Sequence, residues 1–304
     1  MANFNNPEEI IHHYKIILNK TKKKLFRKLN TLEPSDQFGK LANFCQKNDK
    51  HDYAALCWQA VAKCEESMGH NCEQGLAHQK AARQFFSEFK KTESSGLISP
   101  YNEHLHAGLS EMRHAEDSWQ GNPFENILKT SIRLETAETL VCLGKLDDAA
   151  FIGSSMIDVP HESHTLKLAI LEQITSIQIL SEDYEGALLT FTEIANTISF
   201  IDNETIGIYN DILFRCEISR VFLLLILKPT RQKMPSDLAS VLEKYMWING
   251  NFDSPDIMFR LLRSLVKAYQ LGETTCLGTI ESDFTPHLTS EQRHLLAVLI
   301  NTLT

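Results

Sequence analysis

Residues that break helices are scarce in this sequence, with 13 Gly and 9 Pro among 304 positions. An architecture of short strands joined by tight turns needs more of both, so an all-β fold is disfavoured. No run of apolar/polar alternation bounded by turn residues stands out either, and that alternation is the usual mark of a half-buried strand. Long hydrophobic runs are also missing. The longest, Val221 to Leu227, covers about 10 Å of helix against the roughly 30 Å core of a bilayer, so no transmembrane segment is expected. The opening MANFNNPEEIIHHYK places acidic residues before its apolar ones and has no basic region ahead of a hydrophobic core, so a secretory signal is not expected. The seven cysteines are odd in number and contain no C-x-x-C pair. They read as small reduced core residues of an intracellular chain.

Catalytic signatures are lacking as well. There is no G-x-G-x-x-G, G-x-x-x-x-G-K-[ST], G-x-S-x-G or H-E-x-x-H, which lowers the readings of dinucleotide enzyme, P-loop NTPase, serine hydrolase and zinc protease. His161 and His164 flank Glu162 and Ser163, but two ligands on one helical face need i, i+4 spacing, so no metal site is expected there. Asp147 with Asp148, and Glu182 with Asp183 and Glu185, read as solvated turn residues, since nothing removes them from water to perturb their pKa values. The reading is of a non-enzyme with no cofactor and no metal.

Charge of one sign is short over most of the chain. The net charge is -9. Residues 1 to 40 carry eight Lys/Arg against four Asp/Glu, while residues 134 to 205 hold thirteen acids against Lys145 and Lys167. An acidic body disfavours nucleic acid as a partner. Six basic residues lie between Lys20 and Lys28. Their position near a helix C-terminus gives part of this charge a local reason, and the rest makes Lys22, Lys23, Lys24 and Arg27 candidates for docking, with a protein surface favoured over lipid or nucleic acid.

What the sequence does have is helical periodicity from end to end. Pro7 and Glu8 open a helix with Ile10, Tyr14 and Ile17 on its apolar side, and Pro34 with Ser35 marks a break before a second one. HDYAALCWQAVAKCEES places Tyr53, Cys57, Ala60 and Cys64 on one face, and Gly69 closes it. The following helix carries Gly75, Ala77, Ala81 and Ala82, small enough to let helices approach closely. Further on, KLDDAAF and DYEGALL correspond at an offset of 38 residues, Leu146 with Tyr184 and Ala149 with Ala187. This resembles the tetratricopeptide pattern, in which a small alanine sits where paired helices touch. The expected fold is all-α, a tetratricopeptide-like helical-hairpin solenoid of roughly 13–14 helices. It is read as one elongated domain over 1–304, with 1–7 disordered, N-terminal helices over 8–49, hairpins over 50–200 and C-terminal helices over 205–304.

The stretch IGIYNDILFRCEISRVFLLLILKP, from Ile206 to Pro229, is the organising element. It begins amphipathic and ends apolar all round, so the helix 206–228 must be wrapped on every side. Tyr245 and Trp247 add large apolar surface soon after it. Ser254 with Pro255 caps the next helix, and Leu295 and Leu299 make the last helix more apolar than a solvent-facing end should be. The expectation is that a partner supplies part of the cover, with Phe222, Leu224, Tyr245, Trp247, Leu295 and Leu299 as candidate contacts.

Several segments together resemble the 40-kDa huntingtin-associated protein family: YKIILNKTKKKLFRKLN and QFGKL near the start, YAALCWQAVAKCEE, DYEGALLTFTEI, DILFRCEISRVFLLLILKP with LEKYMW, and LTSEQRHLL. They span almost the whole chain. The resemblance implies a non-catalytic, tetratricopeptide-like subunit held between the HEAT-repeat arms of huntingtin in a 1:1 heterodimer, stabilising that larger solenoid. It implies a cytoplasmic location with early endosome association and a role in vesicle trafficking, and leaves open an early-endosomal Rab GTPase as a second partner and a nuclear pool. Only IDNET, Ile201 to Thr205, stands where longer members carry a proline-rich insertion. The alternative is a free-standing tetratricopeptide-type adaptor that grips peptides, with a basic ligand suiting the acidic body better than an acidic one.

Overall fold

The computed structural model describes residues 6–21, 31–97, 99–157, 163–201, 207–229, 235–246, 256–273 and 275–303. These form fourteen α-helices and one 3-10 turn, and no strand occurs among the described residues. The fold is all-α. The sequence reading treats 1–304 as a single domain; in the structure the chain divides into two compact units, Met1–Ile152 and Gly153–Thr304, each packed mainly within itself.

In the first unit, α1 (Pro7–Thr21), α2 (Leu32–Lys47), α3 (His51–Met68), α4 (Asn71–Ser94), α5 (Glu103–Ser118) and α6 (Glu125–Cys142) pack each on the next. Short links enforce this. Between α3 and α4 only Gly69 and His70 intervene, and Gly69 sits at φ 76°, where its amide returns to Glu66 O at 3.0 Å while that of His70 reaches Glu65 O. Such a left-handed cap satisfies carbonyls the helix end would strand, and a side chain there would be strained. Pro34 does not break the chain as the sequence suggested: it lies in the first turn of α2, where a missing amide proton costs nothing. The core holds Ile10, Ile17, Phe38, Cys45, Ala54, Cys57, Ala77 and Ala81. Two glycines set how closely α4 and α5 approach. A Cβ on Gly75 would lie 3.0 Å from Trp119 Nε1, and one on Gly108 would lie 2.5 Å from the Phe86 ring.

The helix α7 (Leu146–Ile157) contains the point of division. The second unit then comprises α8 (His164–Leu180), α9 (Tyr184–Ile201), α10 (Ile208–Leu227), α11 (Ser236–Glu243), α12 (Ile257–Leu271), α13 (Leu277–Phe284), the 3-10 turn Thr285–His287 and α14 (Ser290–Leu303). Helices α9, α11, α12 and α14 all pack on α10. The apolar run is therefore wrapped by the chain's own helices: Val221, Phe222 and Leu223 are 0% exposed, and the ring of Phe222 meets that of Phe284 edge-on at 5.7 Å. The helix ends at Lys228, at φ 47°, one residue before Pro229. Ala149 and Ala187, paired by the repeat, are both fully buried, as helix-contact alanines should be.

The last helix is held by a capping box. Gln292 N is bonded to Thr289 Oγ1 at 3.3 Å, and Thr289 N to Gln292 Oε1 at 3.1 Å. The side-chain amide of Gln292 also donates to Arg215 O on α10 at 3.0 Å and to Ser219 Oγ at 3.3 Å. One buried glutamine thus caps α14 and pins it to α10. The cap of α12 falls on Asp256, which accepts from Met258 N at 2.9 Å; Ser254 and Pro255, proposed from sequence for that role, lie outside the described residues.

Candidate partner interface

The residues singled out from sequence for partner binding divide into two groups. Lys22, Lys23, Lys24, Arg27 and Trp247 lie outside the described residues. Phe222, Leu224, Tyr245, Leu295 and Leu299 are all at or below 1% exposure and belong to one core cluster of the second unit. Their reading as partner contacts is corrected: a side chain already in close contact with its own helices has no apolar area left to offer. Tyr245 shows how complete this is, since its hydroxyl donates to Glu217 Oε1 at 2.6 Å and its ring lies 5.2 Å from that of Phe259. Burial and the neighbouring carboxylate together push its hydroxyl well above the ordinary phenol value.

Other large apolar side chains reach solvent. In the first unit Tyr101 is 75% and Phe124 64% exposed; in the second, Leu189 is 68% exposed. Leu189 was legible in principle. Ala187, Leu188, Phe191, Ile194 and Ile198 fill the inward face of α9, and at 100° per residue an adjacent second leucine must leave it. Phe124 sits just ahead of α6, after the break GNP, where no periodicity constrains it.

The first unit also has a cleft lined by polar side chains. It measures about 750 Å³ and runs across α3, α4 and α5. At its floor Glu111, 6% exposed, accepts from Gln59 Nε2 at 2.8 Å and from His78 Nδ1 at 2.7 Å. The imidazoles of His78 and His114 lie 5.4 Å apart. Burial pushes the Glu111 carboxyl up, but the two hydrogen bonds and the nearby imidazoles outweigh it, and the net shift is below the ordinary carboxylate value. Glu111 is thus held as an anion and can only accept, so His78 must donate from Nδ1. Among the described residues no group of three or more His, Cys, Asp and Glu is placed to hold a metal ion, and no helix is long and apolar enough to cross a membrane.

No family model matches the chain. Two curated proteins do, the 40-kDa huntingtin-associated proteins of Mus musculus and Rattus norvegicus, each 29% identical over 360 aligned positions that cover 96% of this chain and 92% of the relative. Over almost its whole length this chain is similar to the 40-kDa huntingtin-associated proteins. The match runs through both units, so the family similarity covers the polar cleft of the first and the wrapped helix α10 of the second. The 360 aligned positions exceed the 304 residues here, so the mouse and rat members of the huntingtin-associated family carry insertions relative to this chain.

Proposed function

We propose that this chain is a non-enzymatic subunit that binds huntingtin and stabilises it, linking it to early endosomes and vesicle movement. The observation that carries this is likeness along almost the full length to proteins named for huntingtin association. Two features support it. The helices form hairpins that offer long lateral faces, suited to a large contact with another helical solenoid. The exposed rings of Tyr101 and Phe124 are of the type enriched where partners anchor. In this reading the complex is a 1:1 heterodimer in the cytoplasm, an early-endosomal Rab GTPase is its second partner, and no cofactor takes part.

Co-expression of the tagged chain with huntingtin tests the reading. A co-eluting complex whose mass fits one copy of each, with a longer half-life for both chains than either shows alone, is the expected outcome. Elution of the chain by itself, with huntingtin turnover unchanged, overturns it.

A further inference from the structure

We propose that the polar cleft across α3, α4 and α5 is a receptor for an extended peptide segment that carries arginine or lysine. Three observations lead there. Its volume of about 750 Å³ lies within the range of roughly 300–1,000 Å³ typical of ligand pockets. The side-chain amides of Asn71, Gln74 and Gln120 line it and make no hydrogen bond among the described residues. Each offers donors and an acceptor, the complement of the N–H and C=O groups along an extended backbone, which has no internal partners of its own. The third observation is the charge. Glu66, Asp117 and the ionised Glu111 face the cleft together with Lys63, His78 and His114, and the buried carboxylate is fixed in position by Gln59 and His78.

A cationic side chain entering this cleft meets negative charge at the rim and, at the floor, a carboxylate sheltered from water. There the interaction is screened less than on an open surface. Lone-pair acceptors are also in place: the two rim carboxylates suit the several N–H donors of a guanidinium or ammonium. An acidic peptide would meet like charge on three sides. The site stands apart from huntingtin binding, because it concerns a single side chain and a short stretch of backbone within one unit.

Fluorescence anisotropy on the full chain provides the test, using two labelled Gly/Ser peptides that differ only in bearing arginine or glutamate at the same two positions. Saturable binding of the arginine peptide, weaker at raised ionic strength and absent for the glutamate peptide, is expected. Replacing both rim acids, E66Q with D117N, should weaken it by about tenfold or more. E185Q, on an exposed acid of the second unit, should leave it unchanged. E111Q keeps the floor's shape while removing its charge, and should also weaken binding once circular dichroism confirms that it folds. Equal binding of the two peptides, no binding of either, or an equal loss in E185Q overturns the assignment.

Discussion

Phe222→Ala separates a core role from a contact role at the centre of α10. The side chain is 0% exposed and sits edge-on to Phe284. Truncating a fully buried phenylalanine costs about 3–5 kcal/mol, of which the ring pair accounts for about 0.5–1.5. For a unit of this size each kcal/mol lowers the midpoint by about 2–4 °C, so a loss near 4 kcal/mol corresponds to about 8–16 °C. That is a large part of the roughly 5–15 kcal/mol that holds an ordinary domain folded. Thermal melting followed by circular dichroism reads it, with Phe222→Leu as a milder companion that fills part of the void. The reasoning is refuted if Phe222→Ala melts within about 2 °C of the parent while losing capture by huntingtin. That pattern would put the ring at a partner's surface.

Gly108→Ala should destabilise the first unit by up to about 2 kcal/mol net, an overpacking cost of about 1–3 kcal/mol less a helix-propensity gain of roughly 1 kcal/mol, because its methyl would sit 2.5 Å from the Phe86 ring. Denaturant titration should show a smaller loss for Gly75→Ala, whose nearest contact would be 3.0 Å; a stabilised Gly108→Ala would contradict the packing. Alkaline pH should weaken the second unit. Burial pushes Cys216 up to about 12 and Tyr245 above the ordinary 10.0. For groups with raised values, the unfolded chain releases protons first. Stability is therefore full below the ordinary values and falls as pH rises through the window above them. Urea midpoints between about pH 8 and about pH 11 should decline, and Tyr245→Phe should flatten part of that decline; an identical slope in the variant would show that its hydroxyl ionises freely in the folded state.

Helix content was legible because it depends on local chemistry: the scarcity of glycine and proline, the periodicity of α3, and caps such as Gly69 act within a few residues of themselves. The repeat pairing Ala149 with Ala187 was legible for the same reason, since the demand for a small side chain at a helix contact is written at the position itself. The partner residues were not. Composition shows that Val221 to Leu227 must be surrounded, but it cannot distinguish α9, α11, α12 and α14 of the same chain from helices of another. The cleft was equally hidden, because Gln59, His78 and Glu111 are distant in sequence and each reads alone as a polar residue on a helix. Helicity and the all-round apolar character of α10 are thus written locally, because periodicity, capping and hydrophobicity are properties of neighbours along the chain. What covers that helix, and which polar side chains converge, depends on burial and shared hydrogen bonds between helices that no local pattern encodes.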